Sequence, residues 1–291
     1  ARHIHTLITG DANYPPVKRL NGSAWSPMLA LSYDLTDNGR LHVRWAQAAR
    51  FPSIYEATTV NSSWTDAYDQ AFDLKPERST NWEIGYTYNF ALLWGRLREG
   101  DVRLTYFSNT IKNVIDTAAN KDLIQYYRKI TQGIELQSRL DFGRFFMSLG
   151  GTYRLKQETC DANLSFAYDM YHNRVPACIE EGIGATRFYQ SIQPKYSINL
   201  DLGVRLFGEK LELGIRGIHH SRRDSKQHDR LIEQGMGRLL KTTGQAYHWR
   251  ASTIWDAYAR YRIGNRLSLN LGVNNLANRY YLDPMSNVPT P

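Results

Sequence analysis

The segment KYSINLDLGVRLFGEKLELGIRG, residues 195–217, alternates apolar and polar side chains on both sides of a short turn. Successive residues of a β-strand point to opposite sides of the sheet. Each arm of this segment therefore has one apolar face, rich in Leu and Ile, and one face of charged, polar or Gly residues. With a turn around Gly208 between the arms, the pattern predicts an antiparallel hairpin.

The same alternation recurs along the chain, in residues 29–35, 41–46, 82–90 and 267–273, and we count about ten such strands. Many of them are ten residues or longer, whereas soluble strands usually have about five or six. A tilted strand that crosses a membrane needs about 9–11 residues. Lipid offers no hydrogen-bond partners, so such strands must close into a ring. The sequence predicts an all-β fold, a transmembrane antiparallel β-barrel.

The connections between these strands alternate between short and long. Short turns fall near 36–39, 94–100, 142–145, 207–210 and 263–266, and long polar segments near 52–78, 117–125, 158–192 and 224–248. Outer-membrane barrels have this asymmetry, with short periplasmic turns and long extracellular loops. A soluble β-barrel or β-sandwich is the alternative, but it seldom carries several loops of this length.

The composition is compatible with a barrel. The 291 residues contain no apolar run long enough for a transmembrane helix, and the mean hydropathy is −0.51. Alternating strands average out in hydropathy, and the 19 Tyr and 7 Trp suit interfacial girdles. The net charge of +8 favours anionic ligands, lipid headgroups or lipopolysaccharide. No nucleic-acid-binding motif is present, so we expect no nucleic-acid partner.

Cys160 and Cys178 are the two cysteines, and they lie in the same long polar segment. A single pair of this kind fits an oxidising compartment and one disulfide that closes a loop. Two unrelated free thiols are the alternative. Residue 1 does not begin a signal peptide, so we expect a mature chain or a fragment.

Four segments resemble those of TonB-dependent outer-membrane receptors, in the family's order. They are ARFPSIYE at 49–56, FDLKPER at 72–78, TQGIEL at 131–136 and NNLANRYY at 274–281. The first is similar to the family's FRAP box and the second to its NPDL-KPE box. The first departs from the pattern, because Arg50-Phe51-Pro52 stands where the family has Phe-Arg-Ala-Pro.

This resemblance implies that residues 1–291 are the C-terminal part of a barrel of about 22 strands in the bacterial outer membrane. The plug domain and the closing strand would lie outside this chain. The family's activity is active import driven by the TonB complex, not catalysis, with haem or a ferric siderophore as transported ligand. We expect haem or haemoprotein, with a haem-carrying protein as a partner, and no catalytic cofactor.

Haem receptors of this family often place a histidine between the two boxes, but residues 54–72 contain none. Tyrosine also ligates haem iron. The candidate ligand-binding residues are Tyr55, Tyr68, Tyr171, His172, His220, Arg222, Arg223 and His228. Arginine suits the haem propionates. Ordinary polar loop residues are the alternative for each of them, and no spacing indicates a closed zinc site.

Two other classes of protein remain as alternatives. A passive porin would lack the two boxes. An outer-membrane enzyme such as a phospholipase would need a serine nucleophile beside a histidine, and no motif singles one out. His219 and His220 are adjacent in a strand, so their side chains should point to opposite faces and should not bind one ion together.

Overall fold

The structure is a computed structural model that describes residues 2–8, 18–53, 56, 74–90, 97–117, 123–163, 165, 172, 174–180, 193–222, 225–236, 250–264, 266–282 and 289–290. For residues 2–8, 18–22, 117, 123–124, 228, 282 and 289–290 it describes the backbone alone. Within these ranges the protein is almost entirely β-structure, as the alternating pattern predicts.

The strands are β1 (Arg2–Ile8), β2 (Lys18–Ala24), β3 (Met28–Thr36), β4 (Gly39–Arg50), β5 (Glu77–Asn89), β6 (Glu99–Thr117), β7 (Leu123–Asp141), β8 (Phe145–Cys160), β9 (Cys178–Glu180), β10 (Tyr196–Leu206), β11 (Leu211–His220), β12 (Ser252–Ile263), β13 (Leu267–Val273), β14 (Tyr281–Leu282) and β15 (Pro289–Thr290). A short helix, α1 (Lys226–Leu231), continues into a π-helical turn (Ile232–Met236).

One antiparallel sheet of 11 strands dominates the described residues. Ten strands run in the order β3-β4-β5-β6-β7-β8-β10-β11-β12-β13, and the short β9 pairs with the end of β8. Among these ten strands, those that follow one another in sequence also lie side by side in the sheet. This arrangement is a meander, which consecutive hairpins produce. Strand β1 pairs with β2, and β14 with β15, in two separate two-stranded sheets. The count of about ten strands is confirmed.

The two ends of the main sheet differ, as the loop pattern predicts. Short connections join β3 to β4, β5 to β6, β7 to β8, β10 to β11 and β12 to β13, all at one end. We call this the turn end. The strand ends that residues 51–76, 118–122, 161–195 and 221–251 connect lie at the other end, which we call the loop end. Strands β6 and β7, with 19 residues each, and β8, with 16, extend furthest toward the loop end.

The sheet has an apolar face and a polar face. On the apolar face, aromatic side chains flank the aliphatic ones at both ends. Toward the loop end they are Trp45, Trp82, Tyr153, Tyr196 and Trp255, and toward the turn end Tyr33, Tyr86, Phe145 and Tyr261. Phe145 and Tyr153 are roughly 27 Å apart along β8 at the usual rise per residue. With the usual strand tilt of about 35–45°, the separation along the membrane normal is about 19–22 Å, which is close to the apolar band of about 25 Å between aromatic girdles.

Leucines that a soluble protein would bury are exposed on the apolar face. Leu31 is 67% exposed, Leu202 41% and Leu271 60%. The buried hydrophobic side chains lie mostly elsewhere, at the loop end, and include Val114, Tyr126, Ile179 and Leu231. Such a sheet needs an apolar solvent against its outer face. No helix in the described ranges is long and apolar enough to cross a bilayer.

Candidate functional site

The loop end of β8 carries the disulfide. Cys160 and Cys178 are bonded, which confirms the pairing expected from the sequence. The bond holds β9 in register against β8, with Thr159 opposite Ile179. Both of these side chains are fully buried. The disulfide therefore closes the loop over a small core, instead of lying on an exposed turn.

The connection after β11 is attached to this same loop. Ser225 Oγ donates to Glu180 Oε2 at 2.6 Å, and the Glu180 amide donates to Gln227 Oε1 at 2.6 Å. Gln227 Nε2 in turn donates to the Cys178 carbonyl at 3.1 Å. Leu231 of α1 is 2% exposed. Residues 174–180 and 225–236 thus form a single body, which we call the outer platform.

A further hydrogen bond joins the two parts of the outer platform at their far side. Arg174 Nη1 donates to the Gln234 carbonyl at 3.1 Å. Ile232 is 40% exposed, although the adjacent Leu231 is buried. The platform therefore has a buried side that fixes it to β8 and an exposed side that faces away from the sheet.

The two boxes that resemble family motifs contact each other at the loop end. Arg50 Nε donates to Glu77 Oε2 at 2.6 Å, and Arg50 Nη1 donates to Glu56 Oε2 at 2.8 Å. The Ser53 amide donates to Glu56 at 2.7 Å, and the Glu56 amide donates to Ser53 Oγ at 3.2 Å. The other Glu77 oxygen accepts from the Ile115 amide at 2.7 Å. One arginine therefore links the end of β4 to the start of β5.

Glu56 lies in the loop, outside the membrane-spanning strands. Partial burial acts to raise the pKa of its carboxyl, but hydrogen bonds from Arg50 and from Ser53 oppose burial and leave the pKa below its usual value. The carboxylate is therefore charged at neutral pH and holds the start of the long loop. The sequence signal for this contact is the Ser-x-x-Glu pattern of a capping box, at Ser53 and Glu56.

The KPE box is also held by β6 and β7. Gln125 Nε2 donates to the Lys75 carbonyl at 2.8 Å, and the Lys75 amide donates to Gln125 Oε1 at 3.2 Å. Asn113 has a φ of 55° and donates to the Pro76 carbonyl at 3.2 Å. An asparagine tolerates this left-handed conformation better than most residues. These bonds fix where the loop that follows β4 returns to the sheet.

The polar face of the sheet carries charged side chains in contact with one another. Arg216 Nε donates to Asp201 Oδ2 at 3.1 Å, and the Tyr258 hydroxyl donates to Asp201 Oδ1 at 3.0 Å. Arg103 Nη2 lies 2.9 Å from His42 Nε2. This face is not wholly polar, because Phe107 and Phe146 also lie on it. Phe146 covers Gly203 of the neighbouring strand, where a side chain would overlap its ring.

His219 and His220 point to opposite faces, as the strand geometry predicts. The ring of His219 stacks on Tyr196 at a centroid distance of 5.7 Å, and its Nδ1 lies 2.8 Å from Thr253 Oγ1 on the apolar face. His220 Nδ1 lies 3.0 Å from Ser197 Oγ on the polar face. Of the two, only His220 faces the interior.

The other candidate ligand residues fall into three groups. His172 and Arg222 are described and exposed, the first beside the outer platform and the second two residues beyond β11. His228 lies on α1, but its side chain is outside the description. Tyr55, Tyr68, Tyr171 and Arg223 lie outside the described residues. Their ligand-binding role stays a prediction.

The geometry defines a class of protein. The sheet is a wide antiparallel meander with an exposed apolar face and two aromatic girdles. It has short turns at one end and loops joined by a disulfide and hydrogen bonds at the other. These features are those of the wall of an outer-membrane barrel. The polar face is then the lumen wall, and the loop end is the extracellular end.

Known proteins identify the family. The family model described as "TonB dependent receptor-like, beta-barrel" matches residues 4–276. The hemophilin receptor of Acinetobacter baumannii is 31% identical over 283 residues, which cover 92% of this chain and 26% of that receptor. A probable TonB-dependent receptor of Haemophilus influenzae is 26% identical over 90% of this chain and 31% of its own length. The chain spans about a quarter to a third of these relatives.

Solved structures show the same fold. The siderophore receptor PirA of Acinetobacter baumannii superposes with a TM-score of 0.60 at 19% identity, over 94% of this chain and 41% of that one. The FrpB iron transporter of Neisseria meningitidis superposes with a TM-score of 0.60 at 17% identity, over 94% of this chain and 37% of that one.

The chain belongs to the TonB-dependent receptor family, and it forms part of that family's barrel in the bacterial outer membrane. This is a family of receptors, not enzymes, so membership excludes the outer-membrane enzyme considered from the sequence. The resemblance of the four segments and the barrel fold are both confirmed.

Proposed function

We propose that this chain is the C-terminal part of the barrel of a receptor that imports an iron source across the outer membrane, driven by the TonB complex. We propose further that the iron arrives as haem delivered by a carrier protein. The observation that carries this proposal is the outer platform, in which hydrogen bonds and a disulfide unite two long loops. The 31% identity to a hemophilin receptor supports it.

A protein carrier needs a broad surface that does not have to become ordered when it binds, because ordering loops opposes association. The outer platform meets this requirement, since Ile179 and Leu231 anchor its two parts in the same small core. A small siderophore would need only a narrow polar pocket between the loops. The platform therefore favours a carrier protein over a free small ligand.

His172 and Arg222 are the described residues best placed to receive haem beside the platform. Both are exposed at the loop end, and an arginine there can pair with the haem propionates. His220 would act further inward, on the polar face. Tyr55, Tyr68, Tyr171, Arg223 and His228 remain candidates on the sequence alone.

The first experiment adds haem to the purified full-length receptor that contains this chain and records the Soret band. We expect a shifted band that weakens in His172→Ala or His220→Ala. His219→Ala is a matched control for His220→Ala, since the two residues are adjacent but only His220 faces the lumen. An unshifted Soret band together with tight binding of a ferric catecholate would show that the ligand is a siderophore and not haem.

The second experiment tests active import. Cells that express the full-length receptor should grow with a haem-loaded carrier protein as sole iron source, and deletion of TonB should abolish this growth. Growth that persists without TonB would indicate passive entry, as through a porin.

A further inference from the structure

A groove of about 590 Å³ crosses the apolar face of the sheet near β12. Its floor is made by two small side chains, Ala257 and Ala259, at positions where neighbouring strands carry large ones. Ala257 lies between Ile215 and Val273 in the register, and Ala259 lies between Leu213 and Leu271. The depression follows directly from the small side chains of β12.

The groove runs obliquely across the membrane-facing surface. It begins at Phe145, the first residue of β8, beside the turn end, and finishes at Val273, the last residue of β13. It crosses β10, β11 and β12 on the way, a span of roughly 19 Å at the usual strand spacing. One leaflet of the hydrocarbon core is about 15 Å thick. With the usual strand tilt of about 35–45°, this span rises about 11–13 Å along the membrane normal, so the groove fits within a single leaflet, the one on the turn side.

The turn end of the groove is positively charged. The Arg144 guanidinium lies 5.7 Å from the centre of the Phe145 ring, and Arg144 is exposed. The neighbouring carboxylates are already engaged, since Glu209 pairs with Arg98, and Asp141 and Glu212 pair with Arg205. Among the described residues, Arg144 forms no ion pair, so its charge is available to a lipid headgroup.

We propose that this groove is a binding site for one acyl chain of an anionic phospholipid of the periplasmic leaflet, with the lipid phosphate on Arg144. An empty groove would lose dispersion contacts along its walls, so a chain that fits it lies there in preference to bulk lipid. Arginine pairs well with phosphate oxygens, and the Arg144 position sets the headgroup at the turn-end girdle. The site is separate from the loop end and does not depend on which ligand the receptor imports.

The test uses the full-length receptor in nanodiscs of equal phosphatidylglycerol and phosphatidylethanolamine. After mild extraction, mass spectrometry measures the lipid that stays bound. We expect phosphatidylglycerol to be enriched, and Arg144→Ala to lower that enrichment about five-fold, the effect of one basic residue near a headgroup. Arg139→Ala removes a positive charge near the same end but on the polar face, and should leave the enrichment unchanged.

A second pair of variants tests the groove itself. Ala259→Phe fills the floor and should release the retained lipid, whatever its headgroup. Leu149→Phe enlarges an apolar-face side chain outside the groove and should retain the lipid. The heat-modifiable gel mobility of each variant shows that the barrel has folded. Equal effects within either pair of variants, or lipopolysaccharide as the retained lipid, would overturn the proposal.

Discussion

The two faces of β10 provide the sharpest test of how this chain sits in the membrane. Leu200 lies near the middle of the strand on the apolar face, opposite Leu149 of β8. Leu200→Arg would place a charge against the acyl chains near the bilayer midplane. Such a substitution costs a transmembrane barrel about 2–4 kcal/mol, which lowers the folding equilibrium constant about 30- to 700-fold.

Asn199→Arg is the matched control, one residue away on the polar face. Asn199 shares a depression with Asp101 and Glu135, so a guanidinium there would meet water and acceptors. We expect a change in unfolding free energy of at most about 0.5 kcal/mol, as for ordinary surface substitutions. Leu267→Arg, next to the turn end, should cost about 0–1 kcal/mol, because charges near the interface are tolerated.

The assay is urea unfolding of the full-length receptor in lipid vesicles, followed by tryptophan fluorescence and by the fraction of folded, heat-modifiable protein. We expect Leu200→Arg to lose far more stability than Leu267→Arg or Asn199→Arg. If Leu200→Arg and Asn199→Arg destabilised the barrel equally, the assignment of the apolar face to lipid would be refuted.

Three further predictions concern the loops and the lumen wall. The pKa of Glu56 is lowered in the folded protein, so its contacts contribute stability above the usual carboxyl pKa and lose it as the pH falls through the folded value. Hydrogen-exchange protection factors around the two boxes, which are corrected for the intrinsic effect of pH on amide exchange, should therefore fall below about pH 4.5, and Glu56→Gln should remove this fall. Gly214→Val should reduce the folded fraction, because a side chain would overlap the Tyr258 ring, whereas Gly272→Val meets open space. Cys160→Ser opens a disulfide of sequence separation 18 and should lower hydrogen-exchange protection in β9 and α1 by about 3 kcal/mol.

Each of these three has an outcome that would contradict it. Protection factors that stay constant as the pH falls in the native protein would show that the Glu56 contacts contribute nothing. Equal folded fractions for the two glycine variants would mean that the Tyr258 ring moves aside freely. Unchanged protection of α1 after loss of the disulfide would show that the helix is independent of β9. It would contradict the description of the outer platform as a single body.

Much of the barrel wall could be predicted from local pattern. A strand in contact with lipid on one face must alternate with a period of two, and residues 196–206 and 211–217 do so on the two sides of the turn. Short turns such as 207–210 force the next strand back alongside the previous one. The opposite facing of His219 and His220 follows from the same geometry.

The candidate binding residues were less predictable. The histidines, tyrosines and arginines were chosen because they lie in long loops, and loop position depends on contacts that the local sequence does not encode. Ser225 and Gln227 were not chosen, although they attach α1 to Glu180 and Cys178. Their partners are more than forty residues away in the chain, so no short motif marks them.

The alternation of apolar and polar residues, seen first in residues 195–217, is determined by sequence alone, because side-chain direction in a strand is a property of neighbouring residues. It is enough to identify the apolar face, the turns and the number of strands in the main sheet. The tertiary structure alone decided that two distant loops form one platform, that Arg50 links two motifs, and that Ala257 and Ala259 lie at the floor of a groove. Each of these depends on which residues of separate strands are brought side by side, and that register is set by the whole sheet.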